Sequence, residues 1–540
     1  MGSGMTTTIP ALTASAAERF GDQLAIVDGD TRRSYAELYD DARTFGAALV
    51  AFGIQPGDRV SIWCFNSIEW VVAALGLWQA GAVLVPINTR FKGAEAADIL
   101  ARSRARVLIT VTGFLDTDYV GMLRASGVEL PSLDAIVVAR GAAPEGTESW
   151  GGFLARATDD GRFEVDRRRA AVTPDDPSDI LFTSGTTGRP KGVVSTHSRT
   201  LLVATDWAAM TGLVAGDRYL QVNPYFHMFG LKSGILTSVS TGATMLPEAM
   251  FDAGRALQRV ADERVSVFPG APTLYQSLLD HPDHDRLDLS SLRAGTIGAA
   301  DIPVELVRRI FDEMPYKVMI SGYGLTEAGT AAGTAPDDDP ETIATTVGRP
   351  RPSFELRLVD REGTDVARGE AGEILLRGGS VMLEYLDDPE ATALALSPEG
   401  WLSTGDIGQL TDLGCLRIVG RVKDMFIVGG FNAYPAKIEN ALLRHPDVQQ
   451  VAVIGIADAR LGEVGMAFVV PRPASTVTPD DIIEWSREQI ANFKVPRVVE
   501  LVDDLPLNAT GKVVKDELRE RAARRVTKAV PDGPKGGVST

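Results

Sequence analysis

Cysteine is almost absent from this chain. Cys64 and Cys415 are the only two in 540 residues, they lie far apart, and neither has a metal-ligand spacing. Both sit in apolar, strand-like contexts, so they read as buried spectators. No apolar run approaches the length of a membrane-spanning helix, and no signal peptide opens the sequence. Positive charge is in deficit: 54 Lys+Arg stand against 72 Asp+Glu, a net −18, which has the wrong sign for nucleic acid or an anionic membrane surface. Any anionic ligand must be met by a local basic patch. With 44% hydrophobic and 23% charged residues, the composition is that of an ordinary globular protein, and 540 residues are too many for one core. A cytoplasmic enzyme of several domains is expected. Met1-Gly2-Ser3-Gly4-Met5 reads as an added leader before a second start.

What is present is alternation. Ala11 to Phe20 and Tyr35 to Phe52 carry apolar residues at helical spacing, with a short strand at Leu24 to Val27 and a Gly29-Asp30 turn between them. Arg59 to Cys64 reads as strand, Glu69 to Ala80 as helix and Ala82 to Pro86 as strand, the order of a parallel sheet. The alternation returns at Ala105 to Thr112, Asp179 to Thr183, Ala243 to Pro247, Val265 to Pro269, Ala294 to Gly298 and Lys317 to Ser321. These segments predict a large multilayer α/β body. From Phe354 the texture changes, because Phe354 to Val359 alternates sharply and Glu373 to Arg377 follows with little helix between. That suggests a small antiparallel barrel or sheet. Past Gly420, strands at Asp424 to Val428, Val448 to Gly455 and Met466 to Pro471 surround a helix at Pro435 to Arg444, a compact α+β unit. The expected domains are residues 6–420 and 421–523. Residues 524–540 are basic, contain Gly and Pro, and lack periodicity, so they are expected to be disordered.

One stretch stands out: Thr183-Ser184-Gly185-Thr186-Thr187-Gly188-Arg189-Pro190-Lys191-Gly192, after the apolar run Ile180-Leu181-Phe182. Glycines let backbone N–H groups approach a phosphate, hydroxyls add donors, and Arg189 and Lys191 add charge. A Walker A loop counted from Gly185 needs glycine at 190 and Ser or Thr at 192, where the chain has Pro190 and Gly192. This is a phosphate loop of another kind.

Residues 184–192 closely resemble the signature of adenylate-forming acyl-CoA synthetases, a superfamily shared with peptide-synthetase adenylation domains and firefly luciferase. The resemblance spans nearly the whole chain, from near Ala11 to near Arg521, with its motifs in order. It implies an AMP-forming acid–thiol ligase that uses ATP, Mg²⁺ and coenzyme A. The phosphate contacts would be Thr183, Ser184, Gly185, Thr186, Thr187, Gly188 and Lys191, with Thr187 also catalytic. In Gly322-Tyr323-Gly324-Leu325-Thr326-Glu327, it implies that Glu327 holds Mg²⁺, Thr326 touches phosphate, and Tyr323 stacks on adenine beside Gly324. Oxygen ligands of this sort suit Mg²⁺, which commonly takes one or two carboxylates plus phosphate oxygens. Gly298-Ala299-Ala300 would receive the adenine, although small residues there also suit close strand–helix packing. Asp406 and Arg421 would hold the ribose. His227, flanked by aromatics in Tyr225-Phe226-His227-Met228-Phe229, would orient or gate the carboxylate end of the acyl pocket. Lys512 would stabilise the negative charge that develops during adenylation.

Because one small domain must serve two half-reactions, the resemblance implies rotation about a hinge at Lys423, which brings Gly429 and Gly430 to the pantetheine path. Phe431 and Lys437 stand where relatives place glutamates, and no role carries over to them. Phe226, Met228, Phe229, Leu231 and Tyr275 offer apolar surface for a medium-sized hydrophobic acid. Lys232 either meets a second polar group on that acid or is solvated. Residues 226–236 and 429–432 resemble the actinobacterial branch that activates indanedione propanoates from steroid rings. Loading of a carrier-protein thiol, a luciferase-like oxidation and a catalytically dead nucleotide-binding regulator are the alternatives. No nucleic acid or membrane partner is expected, and a homodimer is the candidate assembly.

Overall fold

The computed structural model describes residues 7–183, 189–298, 302–507 and 513–528. The chain divides into two compact units: one of Met1–Arg357, Leu375–Ser403 and Leu410–Arg417, the other of Leu358–Ile374, Thr404–Gln409 and Ile418–Thr540.

The first unit holds two large sheets. One has eight strands in the order Glu384–Tyr385, Lys191–Thr196, Pro177–Thr183, Val83–Pro86, Arg59–Trp63, Val107–Val111, Ala135–Arg140 and Glu148–Ser149. It is parallel from Pro177–Thr183 to Glu148–Ser149, and antiparallel at the other edge. The second has seven strands in the order Val318–Ile320, Ala294–Ile297, Val267–Gly270, Arg218–Gln221, Thr244–Pro247, Leu24–Asp28 and Thr31–Ser34. Val83–Pro86 and Val107–Val111 are buried at every residue, as strands covered on both faces must be. The helix Ile68–Gln79 is apolar all round and buried along almost its whole length. Its neighbour Tyr35–Phe52 starts at a capping box of Ser34 and Glu37 and stops at Gly53, whose φ of 101° no ordinary side chain tolerates well. The two helices cross closely, since a Cβ on Gly76 would lie 2.4 Å from the Ala42 carbonyl oxygen. This unit also holds a three-stranded antiparallel sheet, Gly322–Leu325, Gly329–Gly333 and Arg349–Pro350. The strands expected near Phe354 form a four-stranded sheet in the order Phe354–Val359, Ala371–Gly378, Leu402–Leu410 and Leu416–Arg421.

The second unit is built on the long antiparallel pair Val448–Asp458 and Gly462–Pro471. Phe426–Val428, Phe431–Ala433 and Val498–Leu501 extend it. Alternation along these strands splits the core. Val451, Val453 and Val469 face Ile438, Leu442 and Ile482 of the helices Pro435–Leu442 and Pro479–Gln489. Ala452, Ile454 and Phe468 face Leu518 and Ala522 of the helix Lys515–Lys528. That helix corrects one expectation: residues 524–528 continue it, because the Ala- and Arg-rich run around Ala522 propagates a helix already seated on the sheet. Among the described residues, no helix is long and apolar enough to cross a membrane.

Candidate active site

The strand Pro177–Thr183 and the strand Lys191–Thr196 form the two banks of the phosphate loop, with Thr183 opposite Lys191. Ser184, Gly185, Thr186, Thr187 and Gly188 lie outside the described residues. The two cations of the motif have different surroundings. Arg189 is turned to Asp98 on the helix Gly93–Ser103, 2.5 Å away, and Arg102 of the same helix donates to the Pro190 carbonyl oxygen at 2.6 Å. Arg189 thus ties the end of the loop to a helix. Lys191 places its Nζ 4.8 Å from the centre of the Tyr385 ring.

Glu327 sits in the turn between Gly322–Leu325 and Gly329–Gly333, preceded by Tyr323, Gly324 and Thr326. Its Oε1 accepts a hydrogen bond from Tyr385 Oη at 3.0 Å. Among the described residues no group of three or more His, Cys, Asp or Glu could cage a metal ion. A single half-buried carboxylate instead fits an ion completed by phosphate oxygens and water, the usual habit of Mg²⁺. Gly298 follows the strand Ala294–Ile297, and among the described residues a Cβ added there would meet only the Gly322 carbonyl oxygen, at 3.9 Å. Ala299 and Ala300 lie outside the described residues.

In the second unit, Arg421 Nε and Asp406 Oδ1 are 2.9 Å apart. Asp406 is 6% exposed and its backbone N–H donates to Thr404 Oγ1, whereas Arg421 is half-exposed, so the pair joins a buried carboxylate to a half-exposed guanidinium. Lys423 lies exposed in the turn that follows. Gly429 and Gly430 form the two-residue connection between Phe426–Val428 and Phe431–Ala433 with φ of 56° and 89°. That turn requires left-handed backbone at both positions. Lys512 lies outside the described residues, just before Val513, which bridges back to Leu507.

The acyl-pocket expectations divide. His227 is exposed, and its Nδ1 accepts from the Phe229 N–H at 3.2 Å. It precedes Phe229–Leu236, a helical segment with the wide i→i+5 pattern often found at functional sites. Phe229 meets Trp207 edge-on at 4.7 Å. Tyr225, Leu231 and Tyr275 are core residues: Tyr225 hydrogen-bonds Gln221, and Tyr275 donates to the Phe268 and Thr296 carbonyl oxygens. Lys232 is neither solvated nor free for an acid. It is 3% exposed and pairs at 3.1 Å with Asp179, which also accepts from Ser178 and Thr200. Tyr385, Asp98 and Asp179 were not singled out from sequence, since each matters only through partners far along the chain.

The chain is similar to known proteins along nearly its whole length. The AMP-binding enzyme family matches residues 13–386, and the AMP-binding enzyme C-terminal domain matches residues 437–512. A protein of Rhodococcus jostii (strain RHA1) named 3-[(3aS,4S,7aS)-7a-methyl-1,5-dioxo-octahydro-1H-inden-4-yl]propanoyl:CoA ligase is 48% identical over 517 residues, 95% of this chain and 98% of that protein. A protein of the same name from Mycobacterium tuberculosis (strain ATCC 25618 / H37Rv) is 48% identical over 518 residues, with the same coverage. Among solved structures, the anthranilate CoA ligase AuaEII in complex with anthranoyl-AMP superposes with a TM-score of 0.84 at 28% identity, covering 98% of this chain and 99% of that one. ATP-bound MatB from Rhodopseudomonas palustris gives 0.82 at 29% identity, covering 95% and 99%. Two matched family domains and 48% identity over 95% of the chain have one reading: the chain belongs to the AMP-binding, adenylate-forming enzyme family.

Proposed function

We propose that this AMP-forming acid–thiol ligase takes a fused-ring propanoate of the indanedione type that steroid rings yield. The observation that carries the substrate is 48% identity, over 95% of the chain, to two CoA ligases named for that acid. A medium-sized apolar acid also suits the half-buried Phe226 and Phe229 near His227. The enzyme acts in the cytoplasm in this reading, where ATP and CoA are supplied.

The chemistry has two steps. A carboxylate oxygen of the acid attacks the α-phosphorus of ATP, the bond to the bridging oxygen breaks, and pyrophosphate leaves. The CoA sulfur then attacks the acyl carbon, AMP leaves, and the thiol proton passes to solvent. We assign residues 6–420 to the binding of ATP and acid and residues 421–523 to a mobile domain. Thr183 to Gly188 and Lys191 hold the phosphates, Thr326 adds a hydroxyl, and Gly298 to Ala300 with Tyr323 take the adenine. Asp406 accepts from the ribose hydroxyls with Arg421 beside it. Lys512 meets the charge that builds on the α-phosphate. Glu327 would hold Mg²⁺, which when bound neutralises charge on the departing pyrophosphate.

An acid panel assayed with CoA by AMP release tests the substrate. The indanedione propanoate should show the highest kcat/KM. A higher value for a medium-chain fatty acid or an aryl-alkanoic acid would overturn the assignment.

A further inference from the structure

The segment Ser380 to Leu386 ties together two parts of the candidate site that are remote in sequence. Glu384 and Tyr385 pair antiparallel with Val194 and Val193, and the Leu386 N–H donates to the Gly192 carbonyl oxygen at 2.7 Å, immediately after Lys191. At the other end, the Met382 N–H donates to the Glu327 carbonyl oxygen at 2.6 Å, and Ser380 Oγ donates to the Ala328 carbonyl oxygen at 2.8 Å. Arg199 anchors the middle by donating to the carbonyl oxygens of Val381 and Met382. Tyr385 joins both ends through one side chain. Its hydroxyl reaches Glu327 Oε1 at 3.0 Å, and its ring lies 4.8 Å from Lys191 Nζ. The residue is only 8% exposed, so water competes little for either contact.

We propose that Tyr385 is a positioning residue for adenylation, fixing the Glu327 carboxylate for the divalent cation and seating the Lys191 ammonium at the base of the phosphate loop. This rests on the reading of Glu327 as cation ligand. A glutamate side chain that wanders must surrender its rotamer freedom when it captures an ion, whereas one held by one oxygen has already done so. The donor is neutral, so it orients the carboxylate without cancelling the charge that attracts the metal. An Arg or Lys in its place would compete with the ion. Partners that hold a metal ligand in this way are worth about 10–100-fold in metal affinity. The ring face meanwhile gives the lysine ammonium a favourable resting position.

Tyr385→Phe removes the donor and keeps the ring. The Mg²⁺ concentration for half-maximal ATP binding, measured by calorimetry without acid, should rise about tenfold. The melting temperature should stay near that of the parent. Glu327→Gln should abolish the Mg²⁺-dependent part of ATP binding, and adding Tyr385→Phe to it should change nothing more. If Glu327→Gln leaves Mg²⁺ dependence intact, the cation assignment falls and this inference falls with it. If Glu327→Gln removes that dependence while Tyr385→Phe titrates like the parent, the assignment stands and the role of Tyr385 is overturned. An equal loss of ATP binding from Tyr385→Phe in the Glu327→Gln background would also overturn it, because Tyr385 would then only support the fold.

Discussion

Two buried ionisable groups near the phosphate loop behave as structural parts. His197 opens the helix that follows the strand Lys191–Thr196, and its Nδ1 accepts from the Ile9 N–H at 3.4 Å. Burial lowers its pKa from 6.5 to about 4, outweighing the opposite pull of Asp179 and Asp176. The unfolded chain therefore takes up a proton between pH 6.5 and about 4 that the folded chain refuses. Stability is full above that window and falls as pH drops through it, by on the order of 3 kcal/mol from this group. His197→Gln should flatten that part of a plot of denaturation midpoint against pH; an unchanged slope would remove His197 as its source. Lys232→Met tests the second group. It leaves the Asp179 carboxylate buried without its cation, a change that costs about 3–5 kcal/mol. Chemical denaturation should show that loss, and Asp179→Asn added to Lys232→Met should recover part of it.

At the scale of elements, the hairpin that carries Glu327 depends on glycine. A Cβ on Gly324 would lie 2.4 Å from the Gly329 carbonyl oxygen. Gly324→Ala should therefore lower the melting temperature and ATP–pyrophosphate exchange together, whereas a ligand-contact role alone would lower only the exchange. This glycine was legible in the sequence as part of a nucleotide motif, but its steric duty was not. The same division holds elsewhere. The strands and helices read from periodicity, such as Tyr35–Phe52 and Phe354–Val359, are found where expected, because burial of a face leaves its mark on neighbouring residues. What stayed hidden was long-range: Lys232 pairs with a residue 53 positions earlier (232 − 179), and Tyr385 with one 58 positions earlier. A lysine in an apolar helix and a tyrosine in a two-residue strand carry no local sign of such partners.

For the molecule as a whole, the proposed function asks one C-terminal domain to serve both half-reactions, Lys512 in the first and the hinge at Lys423 in passing to the second. Lys512→Ala should cut acyl-adenylate formation by two to three orders of magnitude, about what one preorganised charge contributes, while thioester formation from supplied acyl-adenylate persists. Lys423→Pro fixes φ at the expected hinge and should do the reverse, sparing pyrophosphate exchange and slowing CoA transfer. Rapid-quench measurement of each half-reaction separates the two outcomes. If both variants lose the same step, the division of labour is wrong.

The scarcity of cysteine has its own consequence for an enzyme that handles a thiol and an activated acyl group. Cys64 and Cys415 are both buried, and burial pushes the Cys64 thiol up to about 12. Reactive sulfur is the thiolate, and a thiol so far from ionising offers almost none. The acyl-adenylate therefore meets no competing nucleophile from Cys64, and oxidised CoA finds no accessible protein sulfur with which to form a mixed disulfide. The sulfur chemistry of the cycle is left to the substrate.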